Sequence, residues 1–170
     1  MKFIYLLFAL LLSLSCKTQQ ELTPNTPSPF NKINCPENGD CTFEVLKNSS
    51  LQIKTDSFGK LYPEISIGDK LVIKYEFKKK KEETDSNYSE FVYFEINKND
   101  KQIILNGKEL QKVKMVFGRI CFCRDAMGYF KVTDGSLFLF NKDGKIQINT
   151  KFKVNKVPQI VSEINENIQY

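Results

Sequence analysis

The alternation of apolar and polar side chains with a period of two most restricts how this chain can fold. The clearest run covers 146–154, where Ile146, Ile148 and Phe152 lie among polar neighbours. Successive side chains of a strand point to opposite faces of a sheet, so the pattern predicts an antiparallel strand with one buried face. Comparable runs begin at Leu71 and Val113, and we find no convincing helical stretch between residues 35 and 170.

Turn residues separate these runs at regular intervals. Asn106-Gly107, Asp134-Gly135 and Asn141-Lys142-Asp143-Gly144 each predict a hairpin turn, because Asn, Asp and Gly tolerate positive φ. The first turn is expected to join 102–105 to a strand beginning at Lys108, and the second to join 129–133 to 136–140. Two segments, 91–96 and 137–140, are apolar at every position or nearly so, which predicts burial on both faces.

The sum is an all-β domain over 35–170 with about nine or ten antiparallel strands. So many short strands separated by turns predict either a β-sandwich or a small β-barrel.

The first fifteen residues predict a signal peptide. Lys2 precedes an uncharged apolar run over 3–12, which is the layout of a secretory signal. The run is too short to cross a hydrocarbon core of ~30 Å, which takes about 20 apolar residues. Residues 1–15 are therefore expected to direct export.

The segment Leu12-Ser13-Leu14-Ser15-Cys16 resembles a bacterial lipobox, in which a cysteine receives lipid before the signal is cleaved. This resemblance implies that Cys16 is the lipid anchor and that the chain incorporates palmitate. The alternatives are an ordinary cleaved signal, with Cys16 incidental, and an uncleaved anchor. Residues 16–34 are rich in Pro, Thr and Ser and predict a tether that holds the domain away from a membrane.

The layout of signal, Cys16-Lys17, tether and Lys-, Asn- and Ile-rich β-domain is similar to that of small uncharacterised lipoproteins of the Bacteroidetes group. The resemblance implies an outer-membrane location and transfers no function. Lipoproteins that this group exports to the surface carry an acidic cluster after the cysteine, whereas 17–21 contains one acid, Glu21. The periplasmic face is therefore expected in preference to the cell surface.

Composition restricts the chemistry. The chain of 170 residues contains no histidine, which removes Ser-His-Asp and Cys-His nucleophilic sites and every metal site that needs imidazole. Loss of Lys2 with the signal leaves 24 basic groups against 20 acidic ones, or +4, too small a surplus to indicate nucleic-acid binding. Without a glycine-rich phosphate loop or a paired-carboxylate motif, no catalytic residue, cofactor or metal is predicted, and the chain is not expected to be an enzyme.

Four cysteines remain after Cys16: Cys35, Cys41, Cys121 and Cys123. An even number in an exported domain predicts two disulfides. In an extended strand the last two would have Cα atoms ~6.6 Å apart, with side chains abreast rather than facing. We therefore expect both to bond across to the first two. A local 35–41 bond with a vicinal or free pair at 121 and 123, a four-thiolate zinc site and a redox pair remain open alternatives.

Tyr62, Tyr88 and Tyr129 lie near predicted turns and form a candidate binding surface for sugar or peptide. The alternative is that they are partly buried rim residues.

The sequence favours a non-catalytic binding or assembly module that is attached to a membrane by lipid and meets an envelope protein partner. Two other functions remain open: a small-barrel carrier of an apolar ligand and a histidine-free hydrolase that uses paired carboxylates.

Overall fold

A computed structural model describes residues 34–80 and 88–170. The predicted signal peptide, Cys16 and nearly all of the predicted tether lie outside the described residues. The described chain contains nine strands and one 3₁₀ helix, in the order β1 (Gly39–Thr55), β2 (Leu61–Lys79), β3 (Ser89–Asn97), β4 (Gln102–Asn106), the 3₁₀ helix (Gly107–Val113), β5 (Val116–Ile120), β6 (Gly128–Lys131), β7 (Gly135–Lys142), β8 (Lys145–Phe152) and β9 (Glu163–Gln169).

The strands form two antiparallel sheets. The larger has the order β1-β2-β3-β5-β6, and the smaller has the order β4-β7-β8-β9. The larger sheet closes on itself because Leu61, at the start of β2, also pairs with Tyr129 of β6. Strands β2, β3, β5 and β6 thus make a small closed barrel beside a second sheet. The prediction of an all-β antiparallel fold is confirmed.

The two sheets share one main core. Phe77, Phe94 and Phe117 of the larger sheet and Leu139 and Ile148 of the smaller sheet belong to it, and none of the five is exposed. Full burial of side chains of this size contributes about 1.5–3 kcal/mol each. The core explains why apolar and polar residues alternate along these strands. One face of each strand packs against the other sheet, and the opposite face does not.

The opposite face of the larger sheet has a smaller apolar cluster. Leu51, Val72 and Val116 are fully buried there, with Tyr93 beside them. Strand β3 therefore has apolar neighbours on both faces, which confirms the prediction made for 91–96.

A long hairpin formed by β1 and β2 gives the larger sheet its curvature. Ser49 pairs with both Ile67 and Lys70, so β2 contains extra residues at this point, and the neighbouring Asn48 has a φ of 53°. Bulges of this kind bend a strand and increase its twist. The bend lets the start of β2 reach β6.

The predicted hairpin at Asn106-Gly107 is wrong. The 3₁₀ helix follows β4 directly and buries Leu110 and Val113, which lie three residues apart on one side. Gln111 holds the helix in place, since its Nε2 donates to the carbonyl oxygens of Met115 (2.8 Å) and Val132 (2.7 Å).

The predicted hairpin at Asp134-Gly135 is also wrong, because the two strands that it separates belong to different sheets. Strand β6 pairs with β5, whereas β7 pairs with β4 and β8. The chain crosses from one sheet to the other at this point. In contrast, Asn141–Gly144 does join the hairpin of β7 and β8, with positive φ at Asp143 and Gly144.

Strand β7 is buried on one face only, contrary to the prediction for 137–140. Leu137 and Leu139 lie in the core, but Phe138 and Phe140 are 38% and 41% exposed. The other sheet covers only one side of β7, so these two rings lie on the outer surface.

Within residues 34–80 and 88–170, no helix has the length and apolar character needed to cross a membrane.

Candidate functional site

The two disulfides are local. Cys35 bonds to Cys41, with Cα atoms 5.5 Å apart, and Cys121 bonds to Cys123, with Cα atoms 5.2 Å apart. The expected pairing across the domain is therefore wrong. The prediction assumed that Cys121 and Cys123 lie in an extended strand, but β5 ends at Ile120 and the chain bends there, which shortens the distance between the two Cα atoms.

The second disulfide begins a short surface loop, residues 121–127, which we call the disulfide loop. Phe122 stands between the two bonded cysteines and is 89% exposed, and Met127 at the other end is 48% exposed. Together with Ile120 and both cysteines they line a hollow of about 630 Å³. Large apolar side chains that remain this exposed, side by side on one loop, are typical of a binding surface.

Arg119 is hydrogen-bonded to the backbone of the disulfide loop. Its Nη1 donates to the carbonyl oxygen of Ala126 at 2.7 Å, and its Nε donates to the Tyr88 hydroxyl at 3.2 Å. The guanidinium also lies over the Tyr88 ring, 5.2 Å from its centre. Since Arg119 is almost completely buried, these contacts fix one conformation of the loop.

A fully buried carboxylate completes the support. Glu90 accepts hydrogen bonds from the backbone N–H groups of Ile160 (2.8 Å) and Val161 (2.6 Å), and from the hydroxyl of Tyr88. Burial and this carboxylate raise the pKa of Tyr88 to about 12, against opposition from Arg119. Hydrogen bonds through Glu90, Tyr88 and Arg119 therefore connect the segment before β9 to the disulfide loop.

A second hollow, of about 280 Å³, adjoins the first. Tyr88, Arg119, Cys123 and Ile160 contribute to its lining. Cys123 borders both hollows.

The structure does not bring the three candidate tyrosines, Tyr62, Tyr88 and Tyr129, together on one exposed surface. Tyr88 belongs to the main core and is only 8% exposed, where it borders the second hollow. Tyr129 is half-buried on the other side of the larger sheet, where its ring lies 6.3 Å from that of Tyr93 and close against Gly118. Tyr62 is 38% exposed and follows Leu61, the partner of Tyr129. Proximity to predicted turns did not distinguish buried from exposed rings.

Sequence reasoning missed Phe122, Met127, Arg119 and Glu90. One signal was present: the chain has only two arginines among its 25 basic residues, and both, Arg119 and Arg124, flank the Cys121-Phe122-Cys123 motif. Arginine is preferred over lysine in buried and interface positions.

Two further buried carboxyl groups serve other parts of the fold. Glu95 is buried, which opposes its ionisation, but hydrogen bonds from Lys114 and Lys70 and from the backbone N–H of Leu51 lower its pKa. The two lysine Nζ atoms lie 2.7 and 2.6 Å from the carboxylate. This ion cluster ties β2 and the turn before β5 to β3.

Glu166 differs because no cation is bonded to it among the described residues. Burial raises its pKa to about 7, although the backbone N–H of Asn34 donates to its carboxyl at 2.8 Å. The hydroxyl of Tyr75 lies nearby and donates to Cys41 Sγ at 3.0 Å. The beginning of the described chain is thus joined to β9 through one titratable group.

Among the described residues, no group of three or more Cys, Asp or Glu side chains lies close enough together to hold a metal ion. Comparisons of the chain with protein-family models, with curated proteins and with solved structures find no match.

Proposed function

We propose that this chain is a lipid-anchored extracytoplasmic lipoprotein whose β-domain is a non-catalytic binding module. In this proposal Cys16 carries the lipid at the outer membrane, on the periplasmic face, and residues 17–34 supply the tether. The disulfide loop is the surface that meets an envelope protein partner.

The observation that carries the proposal is the exposure of Phe122 on a loop that the fold holds rigidly. A ring left in water forgoes about 1.5–3 kcal/mol of burial free energy, which a partner regains when it covers the ring. Aromatic side chains and Met are enriched at protein interfaces, and a few such anchors supply most of the binding energy.

The support beneath the loop favours the same conclusion. The disulfide at 121–123 and the hydrogen bond from Arg119 to Ala126 restrict the loop before any partner arrives. A surface that is already ordered loses less conformational entropy on association, so more of the burial free energy appears as affinity.

The packing of the larger sheet favours a surface-binding module over an apolar carrier. Both faces of this sheet are filled by buried side chains, with Phe94 and Phe117 on one face and Val72 and Val116 on the other. The disulfide loop, in contrast, leaves Phe122 and Met127 exposed to solvent.

The test is cross-linking in the native envelope followed by affinity purification, with Phe122→Ala compared to the wild type. Phe58→Ala is the matched control, because Phe58 is 87% exposed at the tip of the β1–β2 hairpin. We expect the wild type and the control to recover one partner at near-stoichiometric yield, and Phe122→Ala to recover at least tenfold less. Equal recovery by both variants, or no reproducible partner with the wild type, would contradict the proposal.

A further inference from the structure

The outer face of the smaller sheet presents two rows of exposed, uncharged side chains. Every second residue of β4, β7, β8 and β9 is exposed there. Strand pairing aligns eight of these residues in two rows across the sheet. The rows are Gln102–Phe140–Gln147–Asn167 and Ile104–Phe138–Asn149–Asn165. None of the eight is charged, although 26% of the chain is. We call these two rows the amide–aromatic face.

The apolar residues of this face are adjacent. Phe138 and Phe140 are two positions apart on β7, so their Cα atoms are ~6.8 Å apart along the strand. Ile104, which is 60% exposed, pairs directly with Phe138. Three large, partly exposed apolar side chains therefore lie next to one another on the β4 and β7 side of the outer face.

The amides around them make no side-chain hydrogen bonds to any part of the chain that the structure describes. This holds for Gln147, Asn149, Asn165 and Asn167, since the bond that Asn34 donates to Asn165 reaches its backbone carbonyl oxygen. Asn141 on the inner face is the contrast, because its Nδ2 donates to the carbonyl oxygen of Lys98 and its Oδ1 accepts from the Tyr170 hydroxyl. Each outer amide offers two donor hydrogens and two acceptor lone pairs to a ligand.

A hollow of about 430 Å³ lies at one end of the face. Phe140, Gln147 and Asn167 line it, together with the charged residues Lys142, Asp143 and Lys145 of the β7–β8 turn. At the other end of the sheet, Lys151 and Glu163 pair with each other, with Nζ and carboxylate oxygen 3.3 Å apart. Charges therefore border the two rows and leave their centre neutral.

We propose that the amide–aromatic face is a binding site for an uncharged glycan chain. A sugar ring presents an apolar C–H face, which matches the Phe138 and Phe140 rings, and a rim of hydroxyls, which matches amide donors and acceptors. Four strands 4.7–4.9 Å apart give the face a width of about 14 Å, the length of a short oligosaccharide. The absence of charge in both rows favours a neutral ligand, because a charged ligand would lose hydration there without gaining an ion pair.

This site is independent of the proposed protein interface, which lies on the larger sheet. Failure of one proposal therefore leaves the other intact, because each has its own variants.

The test measures binding of the full chain, kept in non-ionic detergent, to immobilised neutral polysaccharides: an α-glucan, a β-glucan, a mannan and a xylan. Polygalacturonate serves as the anionic comparison. We expect retention on at least one neutral polysaccharide and none on polygalacturonate. Phe140→Ala should weaken binding at least tenfold and Asn167→Ala about three- to tenfold, whereas Phe58→Ala should bind as the wild type does.

Thermal unfolding of each variant checks that the fold is unchanged, and Asn167→Ala keeps the test valid if Phe140→Ala fails to fold. Absence of binding to all four neutral polysaccharides overturns the proposal, as does equal binding by Asn167→Ala. A preference for polygalacturonate assigns the site to the lysines instead. A dimer in light scattering that Phe140→Ala converts to monomer assigns the face to a second copy of the chain, and also overturns it.

Discussion

Glu166 is a carboxyl group that the fold places out of reach of water and without a bonded cation among the described residues. Its folded pKa of about 7 lies above the ordinary value of 4.5, because burial disfavours the charged form. Between these two values the folded chain holds a proton that the unfolded chain has lost. The contribution of this proton to stability is complete below pH 4.5, declines as the pH rises and is lost above pH 7.

Glu166→Gln should therefore remove part of the decline in stability with pH. At pH 5 the variant and the wild type should have similar free energies of unfolding, since both present a neutral side chain. At pH 8.5 the variant should be the more stable, by on the order of 1 kcal/mol, because only the wild type carries a buried charge. Urea unfolding at both pH values measures the difference.

Glu163→Gln is the matched control on the same strand, because this carboxylate is half-exposed and paired with Lys151. It should change stability by less than about 0.5 kcal/mol at either pH. A wild type and Glu166→Gln that differ by the same amount at pH 5 and pH 8.5 would contradict the assignment of a raised pKa.

At the scale of elements, the sequence predicted the strands better than the connections between them. Period-two runs such as 146–152 are strands in the structure, as predicted. They could be predicted because the alternation of apolar and polar residues shows which face of a strand is buried. The signal at Asn141–Gly144 and that at Asp134-Gly135 look alike, yet only the first joins a hairpin. Whether a chain returns to its own sheet or crosses to another depends on core contacts between distant segments, which local turn residues do not encode.

The same limit explains the cysteines and the candidate site. The distance between Cys121 and Cys123 depends on whether β5 continues past Ile120, and the sequence alone did not locate that end. Nothing in the sequence distinguished Phe122 from the other aromatic residues, because its exposure depends on the bend after β5.

The disulfide pairing predicts a simple peptide pattern. Trypsin cleaves after Lys32, Lys47, Arg119 and Arg124, so Cys35 and Cys41 fall in the peptide 33–47 and Cys121 and Cys123 in the peptide 120–124. Without reduction, each peptide should be recovered separately with a mass two hydrogens below its reduced form. A linked pair of these peptides, recovered after denaturation with free thiols blocked, would show the pairing across the domain instead.

Gly135 is required where the chain enters β7. Its φ is +137°, and a Cβ there would overlap the backbone of Lys151 and Phe152 on the neighbouring strand. Gly135→Ala should therefore lower the free energy of unfolding by at least about 2 kcal/mol, through strain and through loss of register between β7 and β8.

Gly59→Ala provides the comparison. Gly59 also has a positive φ, of +77°, but nothing lies within 4 Å of its Cβ position. This variant should lose only about 1 kcal/mol, the cost of the backbone conformation. Equal losses in the two variants, measured by urea unfolding, would show that the contact with β8 has no effect.

At the scale of the whole molecule, the tether would leave the domain beside the smaller sheet. The backbone N–H of Asn34 donates to Glu166, and its Nδ2 donates to the carbonyl oxygen of Asn165, both on β9. Strand β9 is an edge strand of that sheet, and the disulfide loop follows β5 in the other sheet. Asn34, where the described chain begins, therefore lies at the β9 edge of the smaller sheet, and the two proposed surfaces lie on different sheets.

Replacement of Cys16 tests whether the chain is anchored to a membrane by lipid. Cys16→Ala, expressed in a bacterium that processes lipoproteins, should incorporate no labelled palmitate and should shift from the membrane fraction to the soluble fraction. The physical reason is that each buried CH₂ contributes about 0.8 kcal/mol and that two acyl chains suffice for stable anchoring, whereas the domain itself carries no such chain. Lys17→Ala, the neighbouring control, should be labelled and fractionate as the wild type does. Undiminished labelling of Cys16→Ala would contradict the lipid anchor, as would recovery of the wild-type chain from the cytosol with residues 1–15 intact.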